Sequence, residues 1–183
     1  MQKIALLTSG GDSPGMNACI RSIVRSVISH NKQAVGVMRG YEGLIHDEFL
    51  DLNARSVSNI LQRGGTILKT ARSKTFMTEE GMKMAYANLC KAGIDGLIVI
   101  GGDGTFKGAV EFNKVSNIPF IGIPGTIDND LFGTDYTIGF DTALNTIINA
   151  VDKIKDTAAS HDRLFFVEVM GRDSGCLALY AGI

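Results

Sequence analysis

The feature that most constrains this chain is a recurring pair: a short, unbroken apolar run that ends in a glycine-rich loop, then a stretch with helical periodicity. "DGLIVI" at 95–100 runs straight into "GGDGT", "IALLT" at 4–8 into "SGGDSPG", "PFIGI" at 119–123 into "GTIDND", and "LFFVEVM" at 164–170 into "GRDSG". An apolar run without alternation is what a strand shows when both faces of its sheet are covered, and strands separated by helices build parallel sheets. The predicted fold class is therefore α/β, a parallel sheet in a three-layer sandwich.

"AVGVM" at 34–38 reads as a further strand. Met16, Ile20, Ile23, Val24, Val27 and Ile28 recur at helical spacing, which predicts an amphipathic helix over 16–29. Further helices are expected near 55–62, over 79–92 with Gly93 at the C′ position, over 105–114, and over 140–156 with Leu144, Ile147, Ile148, Val151 and Ile154 on one face. One more helix begins after "GRDSG". There is no internal repeat and no low-complexity linker. The chain stops in "CLALYAGI", inside what reads as an unfinished helix, so a C-terminal part is expected to be missing.

Charge narrows the function classes. With 18 basic against 19 acidic residues, the chain lacks the excess positive charge of a general nucleic-acid surface, while local basic clusters can still hold small anions. The opening "MQKIALLTSGG" is too short an apolar run for a signal peptide, and no stretch reaches the length of a membrane span, so no membrane partner and a cytoplasmic location are expected. Cys19, Cys90 and Cys176 are widely spaced without a CxxC pair and are expected to be buried and reduced; His30, His46 and His161 have no evident nucleophile or metal partner.

In an open parallel sheet, ligands sit at the carboxyl ends of the strands, so the four glycine-rich loops are predicted to share one rim. Glycine lets backbone N–H groups approach a phosphate, and a following helix N-terminus adds positive potential. No GxxxxGK[ST] occurs, and "GGDGTFKG" is one residue too long for the dinucleotide fingerprint. Asp103 inside such a loop would repel phosphates unless a metal intervened, which suggests Mg²⁺. Arg72, Arg163 and Arg172 lie in or beside turn-like segments, and a planar guanidinium suits phosphate. In "GTIDND", residues two apart in an extended segment face the same side, so Asp128 and Asp130 can address one ligand. Turn chemistry is the competing account of that stretch, because Asp, Asn and Gly all favour turns.

"LTSGGDSPGMNACIR", "IGGDGTFKGA", "PGTIDNDLFGTDYTIGFDTALNT" and "VEVMGRDSG" together resemble the bacterial-type ATP-dependent 6-phosphofructokinases, from Lys3 to the last residue. "GGDGT" alone is shared with NAD and lipid kinases; "GTIDND" followed by "MGR" is far more specific. The resemblance implies a Rossmann-like fold, with a larger nucleotide-binding domain over 1–138 and the start of a smaller sugar-phosphate-binding domain over 139–183. It implies transfer of the ATP γ-phosphate to the 1-hydroxyl of fructose 6-phosphate, with Asp128 as general base and Thr126 and Asp130 positioning the reacting groups. Gly11, Tyr41, Arg72, Ser73, Gly102, Asp103, Gly104 and Thr105 would hold the nucleotide, with Asp103 on Mg²⁺. Arg72 and Arg172 would offset charge on the transferred group. Thr126, Ile127, Asp128, Asp130, Met170, Gly171 and Arg172 would contact the sugar phosphate, and Arg163 the 6-phosphate in a neighbouring subunit, which implies a homo-oligomer, a tetramer on the family pattern.

Pyrophosphate-dependent relatives carry Asp at the Gly104 position and Lys at the Gly125 position, so both glycines favour ATP as the donor. Ser73 stands where an aromatic is common and Met77 where an arginine is common. Arg21, Arg25 and Lys155 match basic positions of an effector site for ADP or another phosphorylated ligand, although Ala54 replaces an arginine there. The alternatives are a pyrophosphate-dependent phosphofructokinase, or a truncated, non-catalytic nucleotide- or sugar-phosphate-binding module.

Overall fold

The computed structural model describes residues 1–183. A six-stranded sheet runs in the order β3-β2-β1-β4-β5-β6, formed by β1 (Lys3–Thr8), β2 (Gln33–Val37), β3 (Phe49–Leu52), β4 (Gly96–Gly101), β5 (Phe120–Thr126) and β6 (Ile138–Gly139). The β1, β2, β4 and β5 segments are the apolar runs of the sequence, and they pair in parallel: Leu6 opposes Gly36 on one side and Ile98 on the other. Two strands go beyond the sequence expectation. β3 is antiparallel to β2, with Ala34 opposite Leu52, and β6 adds two residues beside Gly125 and Thr126.

Alternate residues of each inner strand feed opposite faces. Ala5, Leu7, Val35, Val37, Leu97 and Val99 pack under α2 (Tyr41–Ile45), α3 (Glu79–Lys91) and α4 (Asp103–Phe112). Leu6, Ala34, Leu52 and Ile100 pack under α1 (Met16–Ser29), which contributes Met16, Ile20, Val24 and Val27 from the stripe read in the sequence. Sheet and helices therefore form three layers, as predicted. Each fully buried aliphatic side chain contributes roughly 1.5–3 kcal/mol through removal from water. The helix ends follow local chemistry. Thr78 Oγ1 accepts the Gly81 N–H at 3.1 Å to cap α3, Glu79 and Glu80 sit in its first turn, and Gly93 ends it at φ 68°.

The helix expected near 55–62 is instead a series of turns. Asn53 Oδ1 accepts the Arg55 and Ser56 N–H groups, and Asn59 adopts φ 55°, a left-handed conformation that interrupts helical hydrogen bonding. Val57, Ile60 and Leu68 are still buried, and α1 holds this connection through Asn17, which donates to the Arg63 and Gly64 carbonyls and accepts the Ile67 N–H.

Beyond β6, α5 (Phe140–His161) and α6 (Cys176–Gly182) pack on each other, with the Phe140 and Tyr180 rings edge to face at 5.7 Å. The expected stripe of α5 is only half-covered, and within the helix Phe140 alone is buried. The run 164–170 forms no strand: no neighbouring backbone pairs with it, and Leu164, Phe166 and Met170 are exposed. The cysteines also depart from expectation: Cys19 and Cys176 are half-buried and Cys90 is exposed, all three as free thiols. Burial pushes the Cys19 thiol up to about 11. No helix is long and apolar enough to cross a membrane.

Candidate active site

The loops that follow β1, β4 and β5 open at the same edge of the sheet, where they line a cleft of about 1320 Å³. Their glycines have separate structural duties. At Gly101 a Cβ would lie 2.3 Å from Thr105 Oγ1 and 2.5 Å from the Ser9 carbonyl, so only glycine lets β4 turn directly into α4. At Gly104, one residue into that helix, nothing lies within 4 Å, so no packing demand explains its missing side chain. Thr105 ties the first two loops together by donating from Oγ1 to the Ser9 carbonyl at 3.1 Å.

The opposite wall comes from the 71–77 segment. Phe76 is buried and stacks on Tyr41 with ring centroids 4.1 Å apart. The Tyr41 hydroxyl donates to the Thr105 carbonyl at 2.6 Å, so this residue braces the start of α4 from below, and burial holds its phenol well above the usual tyrosine range. Ser73 accepts the Phe76 N–H at 3.0 Å, while Arg72 and Met77 extend from the same segment and line the cleft.

The third wall holds the paired carboxylates. Asp128 is mostly buried, with 16% of its side chain exposed, and its carboxyl is pushed above the usual aspartate range by burial first and by the Asp130 charge second, against a lowering influence from Arg172. Arg172 Nε lies 3.9 Å from Asp128 Oδ2. Thr126 Oγ1 accepts the Asp128 N–H at 3.2 Å, which fixes the turn that carries the carboxylate. Tyr41, Gly11, Arg72, Ser73, Gly102–Thr105, Thr126–Asp128, Asp130 and Met170–Arg172 all line this one cleft. Arg163 does not: it follows the end of α5 and is exposed outside the cleft. Arg21, Arg25 and Lys155 also lie elsewhere, with Arg21 Nη1 donating to the Val57 carbonyl.

Several residues of this wall lie inside the quoted motifs without standing out there as site residues. Thr137 donates from Oγ1 to the Thr126 carbonyl at 2.6 Å, and Asn129 accepts the Thr137 N–H at 2.9 Å while adopting φ 49°. Ser174 donates to the Asp128 carbonyl at 2.7 Å across a separation of 46 residues. Only the turn-forming character of Asn129 could have been anticipated.

For a metal, no group of three His, Cys, Asp or Glu side chains is assembled. Asp103 offers one half-exposed carboxylate at the N-terminus of α4, 2.6 Å from Lys107 Nζ. A single carboxylate fits Mg²⁺ that arrives on phosphates and keeps several waters, and does not fit a resident metal cage.

An open, largely parallel sheet with a glycine-lined cleft at its strand ends defines the class: an α/β protein with its candidate site at the carboxyl edge of the sheet. The phosphofructokinase family profile matches residues 3–183. An ATP-dependent 6-phosphofructokinase 1 of Thermus thermophilus is 58% identical over 183 residues, covering 100% of this chain and 57% of the relative. An ATP-dependent 6-phosphofructokinase 2 of Bacteroides thetaiotaomicron is 60% identical over 180 residues, 98% of this chain and 55% of the relative. Among solved structures, phosphofructokinase from Saccharomyces cerevisiae superposes with a TM-score of 0.94 at 43% identity, covering 100% of this chain and 28% of that one. A pyrophosphate-dependent phosphofructokinase from Marinobacter aquaeolei, at 21% identity and a TM-score of 0.85, shares the fold; the match covers 100% of this chain and 49% of that one. The chain belongs to the phosphofructokinase family, and it spans a little over half the length of the curated relatives it matches.

Proposed function

We propose that the whole protein is an ATP-dependent 6-phosphofructokinase, a cytoplasmic glycolytic kinase that transfers the ATP γ-phosphate to the 1-hydroxyl of fructose 6-phosphate. The observation that carries this reading is the placement of Asp128, mostly buried, on the wall of a cleft shared with the Gly102–Thr105 loop, Arg72 and Arg172. A carboxylate whose affinity for a proton has been raised is the stronger base for the sugar hydroxyl, and Thr126 and Asp130 lie beside it to orient the reacting groups. Phosphoryl transfer asks the protein chiefly for positioning and charge stabilisation, which Arg72 and Arg172 would supply. Asp103 would hold Mg²⁺ brought by the nucleotide, and that ion neutralises phosphate charge when bound.

The donor assignment rests on two glycines. Gly104 leaves its surroundings open to a triphosphate, and a Cβ at Gly125 would meet Ile100 Cγ2 at 3.0 Å, leaving little room for the lysine of pyrophosphate-dependent relatives. Residues 1–138 then form the nucleotide-binding domain and 139–183 begin the sugar-phosphate domain. Arg163, outside its own cleft, reaches a neighbouring subunit in a homotetramer. Arg21, Arg25 and Lys155 contribute to an effector site for ADP or another phosphorylated ligand.

In the full-length protein Asp128→Ser is expected to lower kcat by roughly 10²-fold or more while leaving ATP binding largely intact. Because the Asp128 carboxyl titrates above its usual range, wild-type kcat should fall with decreasing pH as that group takes up a proton. An unchanged kcat in the variant removes Asp128 from the role. Turnover with pyrophosphate but not ATP reverses the donor assignment.

A further inference from the structure

Two loops meet at Asp128, its own and the one that carries Arg172, and one hydroxyl joins them. The short 3-10 turn Arg172–Ser174 lies between Gly171 at φ 126° and Gly175 at φ 65°, and Arg172 itself is held at φ 48°. A left-handed arginine persists only where its surroundings over-determine it. Ser174 supplies such a constraint. Its single hydroxyl proton is shared between the Asp128 carbonyl at 2.7 Å and the Gly171 carbonyl at 2.8 Å, and its oxygen faces the Cys176 N–H at 3.4 Å.

We infer that Ser174 is a positioning residue, whose bond to the Asp128 carbonyl holds the Arg172 loop in register with the general base and so sets the 3.9 Å separation between guanidinium and carboxylate. The inference rests on Asp128 serving as the base. The charged groups sharing its cleft are Asp130 on its own loop, Asp12 after β1, Arg72 and Lys74 on the 71–77 wall, Asp103, Lys107 and Glu111 on α4, and Glu168 and Arg172 on the segment leading into the 3-10 turn. Arg172 is the cation in contact, so its withdrawal leaves the carboxylate beside Asp130 without its nearest counter-charge and favours its protonated form.

The test uses Ser174→Ala, Ser174→Thr and Asp128→Ser in the full-length protein, with kcat, KM for both substrates and the pH dependence of kcat. Ser174→Ala is expected to lower kcat roughly tenfold, with KM for the nucleotide changed by less than about twofold, and to move the acid limb of the kcat profile to higher pH. Ser174→Thr, which keeps the hydroxyl, should restore both. A lower kcat with an unmoved acid limb, or no recovery in Ser174→Thr, overturns the positioning role while Asp128→Ser keeps its expected loss of kcat. An Asp128→Ser variant with unchanged kcat instead overturns the base reading and this inference with it.

Discussion

The two ends of this chain are built differently. At the centre of the sheet β1, β2 and β4 are packed on both faces, and Leu6, Leu89 and Ile100 are completely buried. From α5 onward most apolar residues are half-covered at best, and Phe166 is 92% exposed. The cleft draws on both regions: the Gly102–Thr105 loop stands on the packed sheet, while Met170–Arg172 reach it from a segment with no strand partner. The firm region holds its wall of the cleft in a preorganised shape. The loose region meets it through a few hydrogen bonds, among them the short one from Ser174 to the Asp128 carbonyl.

That contrast can be broken most forcefully by mutation of apolar residues. Leu89→Ala in the packed core should cost about 2–5 kcal/mol, through lost transfer energy and the cavity left behind. Phe166→Ala in this chain should change stability by no more than about 0.5 kcal/mol. Denaturant unfolding of both variants measures the difference, and comparable losses would mean that 164–170 is packed in solution. A smaller effect separates two glycines of one loop. Gly101→Ala forces a Cβ against the Ser9 carbonyl and should destabilise by about 1–3 kcal/mol. Gly104→Ala meets nothing, lies in a helix, and should leave stability unchanged or raised by up to about 0.5 kcal/mol while weakening nucleotide binding. Thermal melts with and without ATP distinguish the two.

The smallest expected effect sharpens the comparison at the exposed margin of the firm region. Burial opposes ionisation of Asp95, but the N–H groups of Gln2 at 2.7 Å and Lys3 at 3.0 Å prevail and hold its carboxyl below the usual range. A depressed acid stabilises the fold above its unfolded-state value, near pH 4, and loses that contribution as pH falls through the lower folded-state value. Asp95→Asn should therefore cost no more than about 1 kcal/mol at neutral pH, after allowance for solvent screening. Melting curves of variant and wild type should converge in acid.

Legibility from sequence follows the same division. β1, β2 and β4 could be read because burial on both faces leaves unbroken apolar runs, and α1, α3 and α4 because their stripes meet a sheet. β3 and β6 could not: "FLDL" is four residues with Leu50 exposed, and Ile138–Gly139 is a two-residue ladder. Val57 and Ile60 imitate a helical stripe, yet the left-handed Asn59 between them turns the chain. The run 164–170 has strand composition, but strand formation needs a partner backbone that composition alone does not supply. At the cleft, glycines and charges at strand ends were legible because their role is local. Ser174, Thr137 and Asn129 stand in the quoted motifs, but their partners were not legible, because each acts through a hydrogen bond to a residue distant in sequence.

The order β3-β2-β1-β4-β5-β6 has one further consequence. Chain progress reverses direction between β1 and β4, so the connections leaving those two strands are carried apart to opposite layers and a crevice opens between them. That crevice belongs to the winding of the backbone and exists before any side chain is chosen. Side chains along the gap can therefore change while the scaffold beneath stays untouched.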